Sequence, residues 1–300
     1  MTELPGSDDA ANVAAEAASR MFPEAVEAGV LYVVSTPIGH LGDVSLRALR
    51  VLQSVDRILC EDTRHAHTLL ARYGIRTPTG ALHEHNEAKM VPLVLAQLRE
   101  GAALALISDA GTPLVSDPGQ RLVSAVAEAN GRVVPVPGAS AALAALIGSG
   151  LPAHPSTNLG FLPRKGKERD SMLRWAAACP HAVVLYEAPG RVSDTLSDLA
   201  AVAGADRQAV VARELTKRFE EFRRGTLETL AAYYSETAPR GEIVIVLAAA
   251  PEELPPTEDT LRETARALLA DGLAPRAVMT MLMERDGVPR NLAYRLAHDT

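Results

Sequence analysis

The sequence predicts an α/β fold of two domains with a small C-terminal helical extension. Three observations predict it. Short apolar runs such as Val30 to Ser35, Arg57 to Cys60 and Ala103 to Ile107 recur along the chain. These runs stop in turns rich in Gly, Pro, Ser, Thr or charged residues. Most of those turns lead into apolar residues at helical spacing. Strands buried on both faces and alternating with helices are the pattern of a largely parallel sheet.

Residues 1–29, rich in Ala and acidic residues, read as a mobile extension with a short helix at about Ala10 to Arg20. They lack the basic start and apolar core of a signal peptide. The first α/β domain spans 30–140. Its first strand, Val30 to Ser35, runs into Thr36-Pro37-Ile38-Gly39-His40-Leu41-Gly42-Asp43. Asp43 is the expected N-cap of a helix carrying Leu46, Leu49 and Leu52. Arg57 to Cys60 is a strand ending in Glu61-Asp62-Thr63-Arg64, with a helix from Thr68 to Tyr73 that Gly74 stops. His83-Glu84-His85-Asn86-Glu87 forms a polar loop ahead of a helix from Glu87 to Glu100.

The most informative stretch is Ile107 to Gly119, ISDAGTPLVSDPG, between the strand Ala103–Ile107 and a helix Gln120–Ala129. Connections of this type usually take about 2–6 residues. This one is longer and carries two carboxylates. Open α/β sheets bind ligands beyond the carboxyl ends of their strands, so the loop is a candidate ligand cradle. Arg132 to Val136 is the next strand, followed by the turn Pro137-Gly138-Ala139-Ser140 and a helix from Ala141 to Ile147.

The second domain spans 141–250, with the junction within 138–152. Gly148 to Ala153 matches a dinucleotide fingerprint by letter, but it follows a helix and reads as a linker. A basic loop, Phe161 to Arg169, precedes a helix Glu168–Ala178 whose Trp175 is expected in the core. Val183 to Tyr186 is a strand ending in Glu187-Ala188-Pro189-Gly190-Arg191. Ala209 to Ala212 is another, ending in Arg213-Glu214-Leu215-Thr216-Lys217-Arg218. Thr226 to Tyr234 is helical and Ile243 to Ala248 is a β-branched strand. After a linker, Pro251 to Pro256, residues 257–300 carry three short helices. The first has a Thr260–Glu263 capping box and ends at Gly272; the second runs from Pro275 to Gly287; the third runs from Pro289 through Leu296. They fit either a helix-turn-helix-like unit or a small packing domain.

The net charge of −7 argues against a protein that coats nucleic acid non-specifically, and leaves room for a site-specific enzyme with local basic patches. No run of about 18 apolar residues predicts a membrane span. Cys60 and Cys179 supply neither a disulfide framework nor a zinc pattern, and read as buried thiols in a reducing cytoplasm. His65-x-His67 and His83-x-His85 lack a third ligand at fixed spacing, so no metal is expected. Two basic clusters are candidate RNA contacts, Arg164, Lys165, Lys167 and Arg169, and Lys217, Arg218, Arg223 and Arg224, with exposed helix charge as the plainer explanation.

Taken together, STPIGHLGD, CEDTR, HEHNE, ISDAGTPLVSDPG, VPGAS, GFLPRKG, YEAPGR and ARELTK, in this order, resemble the bacterial 16S ribosomal RNA (cytidine-2′-O)-methyltransferases of the tetrapyrrole methylase superfamily. The resemblance covers about Val30 to Ala249 and extends to the helical tail. Two positions depart from the family pattern: His40 stands where asparagine is usual, and Gly190 where histidine is usual. The resemblance implies a tetrapyrrole-methylase-like pair of α/β domains, S-adenosyl-L-methionine in the cleft, a cytoplasmic homodimer, and 16S rRNA or the small ribosomal subunit as substrate. Carried onto this sequence, the implied cofactor residues are Thr36, Pro37, Gly39, Asp109, Ala110, Gly111, Thr112, Ser116, Asp117, Gly138, Ser140, Phe161, Leu162 and Tyr186.

A ribose hydroxyl must lose its proton as the methyl group moves. Charged residues that follow strands are the candidates for base or polariser: Glu61, Asp62, His83, Glu187 and Lys217. Arg64 and Arg213 join the basic clusters as candidate phosphate contacts. Three rival readings are a corrin-precursor C-methyltransferase, a non-catalytic RNA-binding module, and a metal hydrolase built on the His-x-His pairs.

Overall fold

In a computed structural model, the structure describes residues 26–251 and 257–298. The expected N-terminal helix, and all but the first residue of the Pro251–Pro256 linker, fall outside them. Residues 26–250 form one compact unit and the three terminal helices another. Among the described residues, no helix is long and apolar enough to cross a membrane.

The first sheet has the order β3-β2-β4-β1-β5, all parallel. Its strands are β1 (Val30–Val34), β2 (Arg57–Cys60), β3 (Thr79–Ala81), β4 (Leu104–Leu106) and β5 (Arg132–Val136). Alternation along β1 sends Val30, Tyr32 and Val34 to one face and Leu31 to the other. Helices α1 (Leu46–Ser54) and α2 (Thr63–Arg72) cover the first face. Helices α3 (Glu87–Arg99) and α4 (Gln120–Glu128) cover the second.

The second sheet is mixed, in the order β6-β7-β10-β8-β9. Its strands are β6 (Ser156–Phe161), β7 (Ala182–Glu187), β8 (Gln208–Arg213), β9 (Glu221–Thr226) and β10 (Ile243–Leu247). Only β6 and β7 pair in parallel. Helix α5 (Ala141–Ser149) packs one face through Ala142, Ala145 and Leu146. Helices α6 (Lys167–Ala178), α7 (Val192–Ala203) and α8 (Leu227–Glu236) cover the other. Ile38, from the loop after β1, is buried in the α5 cluster beside Leu215 from the loop after β8. The two sheets therefore share a seam of apolar contact.

Several expectations are corrected. Ser45, not Asp43, caps α1 by accepting from the Ala48 N–H; Asp43 sits in a preceding 3₁₀ turn. Helix α2 begins at Thr63 rather than Thr68 because Asp62 caps it. Helix α5 runs on through Gly148 and Ser149, so those residues are helix and not linker. Trp175 is 47% exposed, not core: the buried stripe of α6 is Arg169, Leu173 and Ala176. Strand β9 places Arg223 and Arg224 on a strand instead of a helix face. In the tail, helix α9 (Glu258–Ala270) is capped by Thr257, which accepts from the Thr260 N–H, so Thr260 lies inside the first turn. Helices α10 (Pro275–Asp286) and α11 (Arg290–His298) complete the tail, with Gly287 left-handed at the end of α10.

Candidate active site

Three loops at the carboxyl ends of adjacent first-sheet strands are stitched together. Thr36, after β1, exchanges backbone hydrogen bonds with Gly111 of the loop after β4: the Thr36 N–H donates at 2.8 Å and the Gly111 N–H donates back at 3.1 Å. The Thr112 hydroxyl donates to the Ala139 carbonyl after β5 at 3.0 Å and lies 3.1 Å from the Ser35 hydroxyl. Gly111 has φ of +78°, and a Cβ there would press on Ile38. Glycine is the residue that adopts this conformation without cost. Glu87, from the HEHNE segment, is buried and accepts from the Leu122 N–H at 3.0 Å. It thus caps α4, whose own N-cap position, Gly119, has no side chain to do so.

These loops form one wall of a cavity of about 430 Å³. Asp109, Ala110, Gly111, Thr112, Ser116, Asp117 and Ser140 line that wall together with Ile38 and Val115. The second sheet supplies the other wall from the end of β6, the end of β7 and the start of β10. The registers pair Phe161 with Tyr186 and Glu187 with Ile243, which brings those ends to one edge. Phe161, Tyr186 to Pro189 and Gly241 to Val244 line it. The Phe161 and Tyr186 rings lie 5.5 Å apart.

Thr36, Pro37 and Leu162 are buried behind the cavity and hold its loops, while Gly39 and Gly138 sit where backbone segments meet. A Cβ on Gly138 would strike Ser35, and one on Gly39 would strike Thr216 and Lys217. Ile38, Val115, Ala141, Ala188, Pro189 and the Gly241–Val244 wall line the cavity without having been expected there. The last of these enters the cavity through strand order, for which a linear sequence carries no local signal.

The cavity is acidic. Asp109, Asp117, Glu187 and Glu242 all line it. The Asp109 Oδ1 atom is buried and has no hydrogen-bond partner. Burial pushes the Asp117 carboxyl up to about 6; the Ser108 hydroxyl offsets part of this, and the charges of Glu61 and Asp109 add to it.

Of the candidate bases, three are committed elsewhere. Asp62 caps α2 and pairs with Arg64 at 3.0 Å; those bonds hold its carboxyl down at about 2, too acidic to take a proton near neutrality. Glu187 is buried with both oxygens engaged. Its Oε1 accepts from the Ala188 N–H at 2.8 Å and pairs with Arg191 Nε at 3.3 Å, while Oε2 accepts from the Thr195 hydroxyl at 2.6 Å. The Lys217 ammonium pairs with Glu214 at 2.9 Å and Glu242 at 3.2 Å. Burial works against its charge, but those carboxylates outweigh burial and raise its pKa. Glu61 is exposed, and His83 keeps a buried, unpartnered Nδ1 outside the cavity wall.

The basic residues divide in the same way. Arg164 and Lys165, on the loop before α6, and Lys167, its first residue, are exposed. Arg169 is not: it is 7% exposed, pairs with Asp198 at 2.7 Å, and donates to Thr195 Oγ1 and the Pro163 carbonyl. It is a strut for the basic loop, and the phosphate-contact expectation passes to its three neighbours. Arg213 pairs with Glu221 and Arg64 with Asp62. Arg218 is exposed beside Phe219. His83 and His85 have ring centroids 6.0 Å apart, and no three His, Cys, Asp or Glu side chains gather as a metal site among the described residues.

A family model described as Tetrapyrrole (Corrin/Porphyrin) Methylases matches residues 30–231. A Synechocystis protein described as ribosomal RNA small subunit methyltransferase I is 46% identical over 271 residues, which is 90% of this chain and 97% of that protein. An Escherichia coli O157:H7 protein with the same description is 44% identical over 274 residues, 90% of this chain and 94% of its own length. Among solved structures, a uroporphyrin-III C-methyl transferase from Thermus thermophilus complexed with S-adenyl homocysteine superposes with a TM-score of 0.54. It shares 20% identity and covers 73% of this chain and 96% of that one, a likeness of fold.

Proposed function

The chain belongs to the tetrapyrrole (corrin/porphyrin) methylase family, and on that premise we propose that it is an S-adenosyl-L-methionine-dependent methyltransferase of small-subunit ribosomal RNA. The finer reading is methylation of the 2′-hydroxyl of a cytidine in the decoding region of 16S rRNA, by a cytoplasmic homodimer. The observation that carries the rRNA methyltransferase reading is the near full-length identity with small-subunit rRNA methyltransferases, 46% over 90% of the chain, and the finer reading rests on the motif resemblance. The exposed cations Arg164, Lys165 and Lys167 suit a polyanionic acceptor such as RNA.

The residues present suit the cofactor. S-adenosylmethionine, when bound, supplies an electrophilic methyl group on a sulfonium centre. An acidic cavity with an unpartnered Asp109 oxygen fits a ligand bearing two cationic groups. In this reading the backbone N–H groups of Ala110 and Thr112, with Ser140, take its carboxylate, and Asp109 and Asp117 face its cationic end. Phe161, Tyr186, Ile38 and Val115 supply an apolar bed for the adenine.

The chain's work is then to align donor and acceptor, for which the stitched loops provide a preorganised frame. Of the five candidate bases, Glu61 and His83 are the two with no side-chain hydrogen bond or ion pair among the described residues, and a general base contributes about 10²–10⁴-fold. The deciding experiment is methyl transfer from radiolabelled S-adenosylmethionine to small subunits that lack the modification, with free 16S rRNA in parallel. Label at one cytidine ribose is expected. Label on neither substrate, from protein that binds the cofactor, would overturn the reading.

A further inference from the structure

Phe219 is 65% exposed, an unusual setting for a large aromatic ring in the loop that joins β8 to β9. The other exposed aromatic rings among the described residues are differently placed. Phe161 packs on Tyr186 in the cavity, Tyr294 stacks on His298, and Trp175 lies on the outer side of α6. Phe219 has a cation beside it instead, the Arg218 guanidinium 5.5 Å from its ring centroid.

The loop that presents it is held firmly. Glu214 and Thr216 both sit in the left-handed region, with φ of 51° and 63°. Non-glycine residues rarely adopt it unless the surroundings impose it. Here the Thr216 N–H donates to Glu220 Oε2 at 2.7 Å, the Lys217 N–H donates to the Glu214 carbonyl at 3.0 Å, and the Glu220 N–H donates to the Lys217 carbonyl at 3.1 Å. Phe219 lies inside this set of turns with its ring outward. The loop also borders the cavity: Arg213 pairs in register with Ile243, and Lys217 Nζ reaches Glu242, both on the cavity wall.

An outward-facing ring on a pinned loop, with a cation beside it, suits an unstacked nucleobase. The base stacks on the ring, and the guanidinium serves the adjoining phosphate. We propose that Phe219, with Arg218, is the platform on which a base of the substrate RNA stacks as it is presented to the cavity. The inference rests on the functional reading above and deepens it, because it names a specificity element for RNA that a cofactor pocket alone does not supply.

The test compares Phe219→Ala, Phe219→Leu and Phe219→Trp, the last also in a Trp175→Phe background so that its indole is the sole reporter. Small subunits lacking the modification are the substrate, and S-adenosylhomocysteine is the cofactor probe in calorimetry. Phe219→Ala is expected to raise KM for small subunits about tenfold, equal to about 1.4 kcal/mol and within what one base–aromatic stack supplies. S-adenosylhomocysteine affinity and melting temperature should stay unchanged, because the ring is exposed. Phe219→Trp should restore KM, with indole emission quenched on adding subunits, whereas Phe219→Leu should not restore it. A leucine variant as good as wild type, or an unchanged alanine variant of an active enzyme, would overturn the platform. A change in sedimenting mass with KM unmoved would assign the ring to a protein contact and also overturn it. An inactive wild-type enzyme that binds cofactor would instead strike the functional reading itself, and this inference with it.

Discussion

The backbone N–H of His40 donates to the Thr216 hydroxyl at 3.0 Å, joining residues 176 apart in sequence. It ties the loop after β1 to the loop after β8, across the seam where Ile38 meets Leu215. Gly39 allows the approach, since a Cβ there would collide with the Lys217 and Thr216 side chains. Thr216→Val keeps the shape and removes the acceptor, leaving the His40 N–H to water. The loss of one such bond is about 1 kcal/mol. Because this junction sets the spacing of the two cavity walls, S-adenosylhomocysteine affinity should fall about fivefold, read by calorimetry. Unchanged affinity together with a lowered melting temperature would confine the junction to a structural role.

Glu187 is expected to act as a brace and not as a base. Both oxygens are engaged inside the protein, and the same network holds Arg191, which donates to the Leu162 and Pro163 carbonyls. Glu187→Ala leaves Arg191 and Thr195 without their partner. Removing one member of a buried pair costs about 3 kcal/mol, or roughly 6–12 °C in melting temperature for a unit of this size. Turnover per folded molecule, measured well below the melting point, should change by less than the about 10²-fold a lost base would cost. A large kcat loss with unchanged melting temperature would reverse the assignment.

Asp117 makes cofactor binding and stability depend on pH in opposite directions. Its carboxyl, raised by burial to about 6, takes up a proton on folding between about pH 4 and 6. Its contribution to the stability of the free enzyme is therefore fully present below about pH 4 and is lost as pH rises through 6. Binding a cationic ligand requires the ionised form, so S-adenosylmethionine affinity should weaken as pH falls below 6. Asp117→Asn should flatten both profiles. Calorimetry and thermal melts from pH 5 to pH 8, in wild type and variant, check the two signs independently.

The strands that apolar runs located, β1, β2, β4, β5, β7, β8 and β10, include every interior strand of both sheets. The three that the runs did not reveal, β3, β6 and β9, are all edges. Thr79-Gly80-Ala81 is short, Ser156 to Phe161 is polar with a bulge at Asn158–Gly160, and Glu221 to Thr226 is charged. Edge strands are kept short, irregular or charged because a smooth apolar edge recruits other chains, and this hides them from an apolar-run reading. Helix α7 was legible in principle, for Val192, Thr195, Leu196 and Leu199 fall at helical spacing. The cavity divides along a similar line. The polar loops after β4, β5 and β7 announce themselves by composition, whereas Glu242 becomes a wall residue only because β10 inserts between β7 and β8. Charge alone did not separate Arg169 from Lys167, because pairing with Asp198 is a tertiary fact.

That separation leads to a paired prediction on RNA binding. Arg164 and Lys165 on the loop before α6 and Lys167 at its first position are exposed, and the loop itself is held from below by Arg169 and Arg191. Phosphate contacts release counterions, at about 0.7 in the log–log salt slope per contact for single-stranded nucleic acid. Replacing the three exposed residues by Ala should flatten the slope of small-subunit binding against salt by about 2 if each meets a phosphate, with the melting temperature unchanged. Arg169→Ala should behave in the opposite way. It removes charge-assisted bonds to Asp198 and Thr195, at a cost of about 2 kcal/mol, and should lower the melting temperature while leaving the salt slope of the surviving folded protein close to wild type. A slope that falls by about the same amount in both variants would mean that the strut and the contact surface act as one electrostatic patch, and that burial of Arg169 does not set its role.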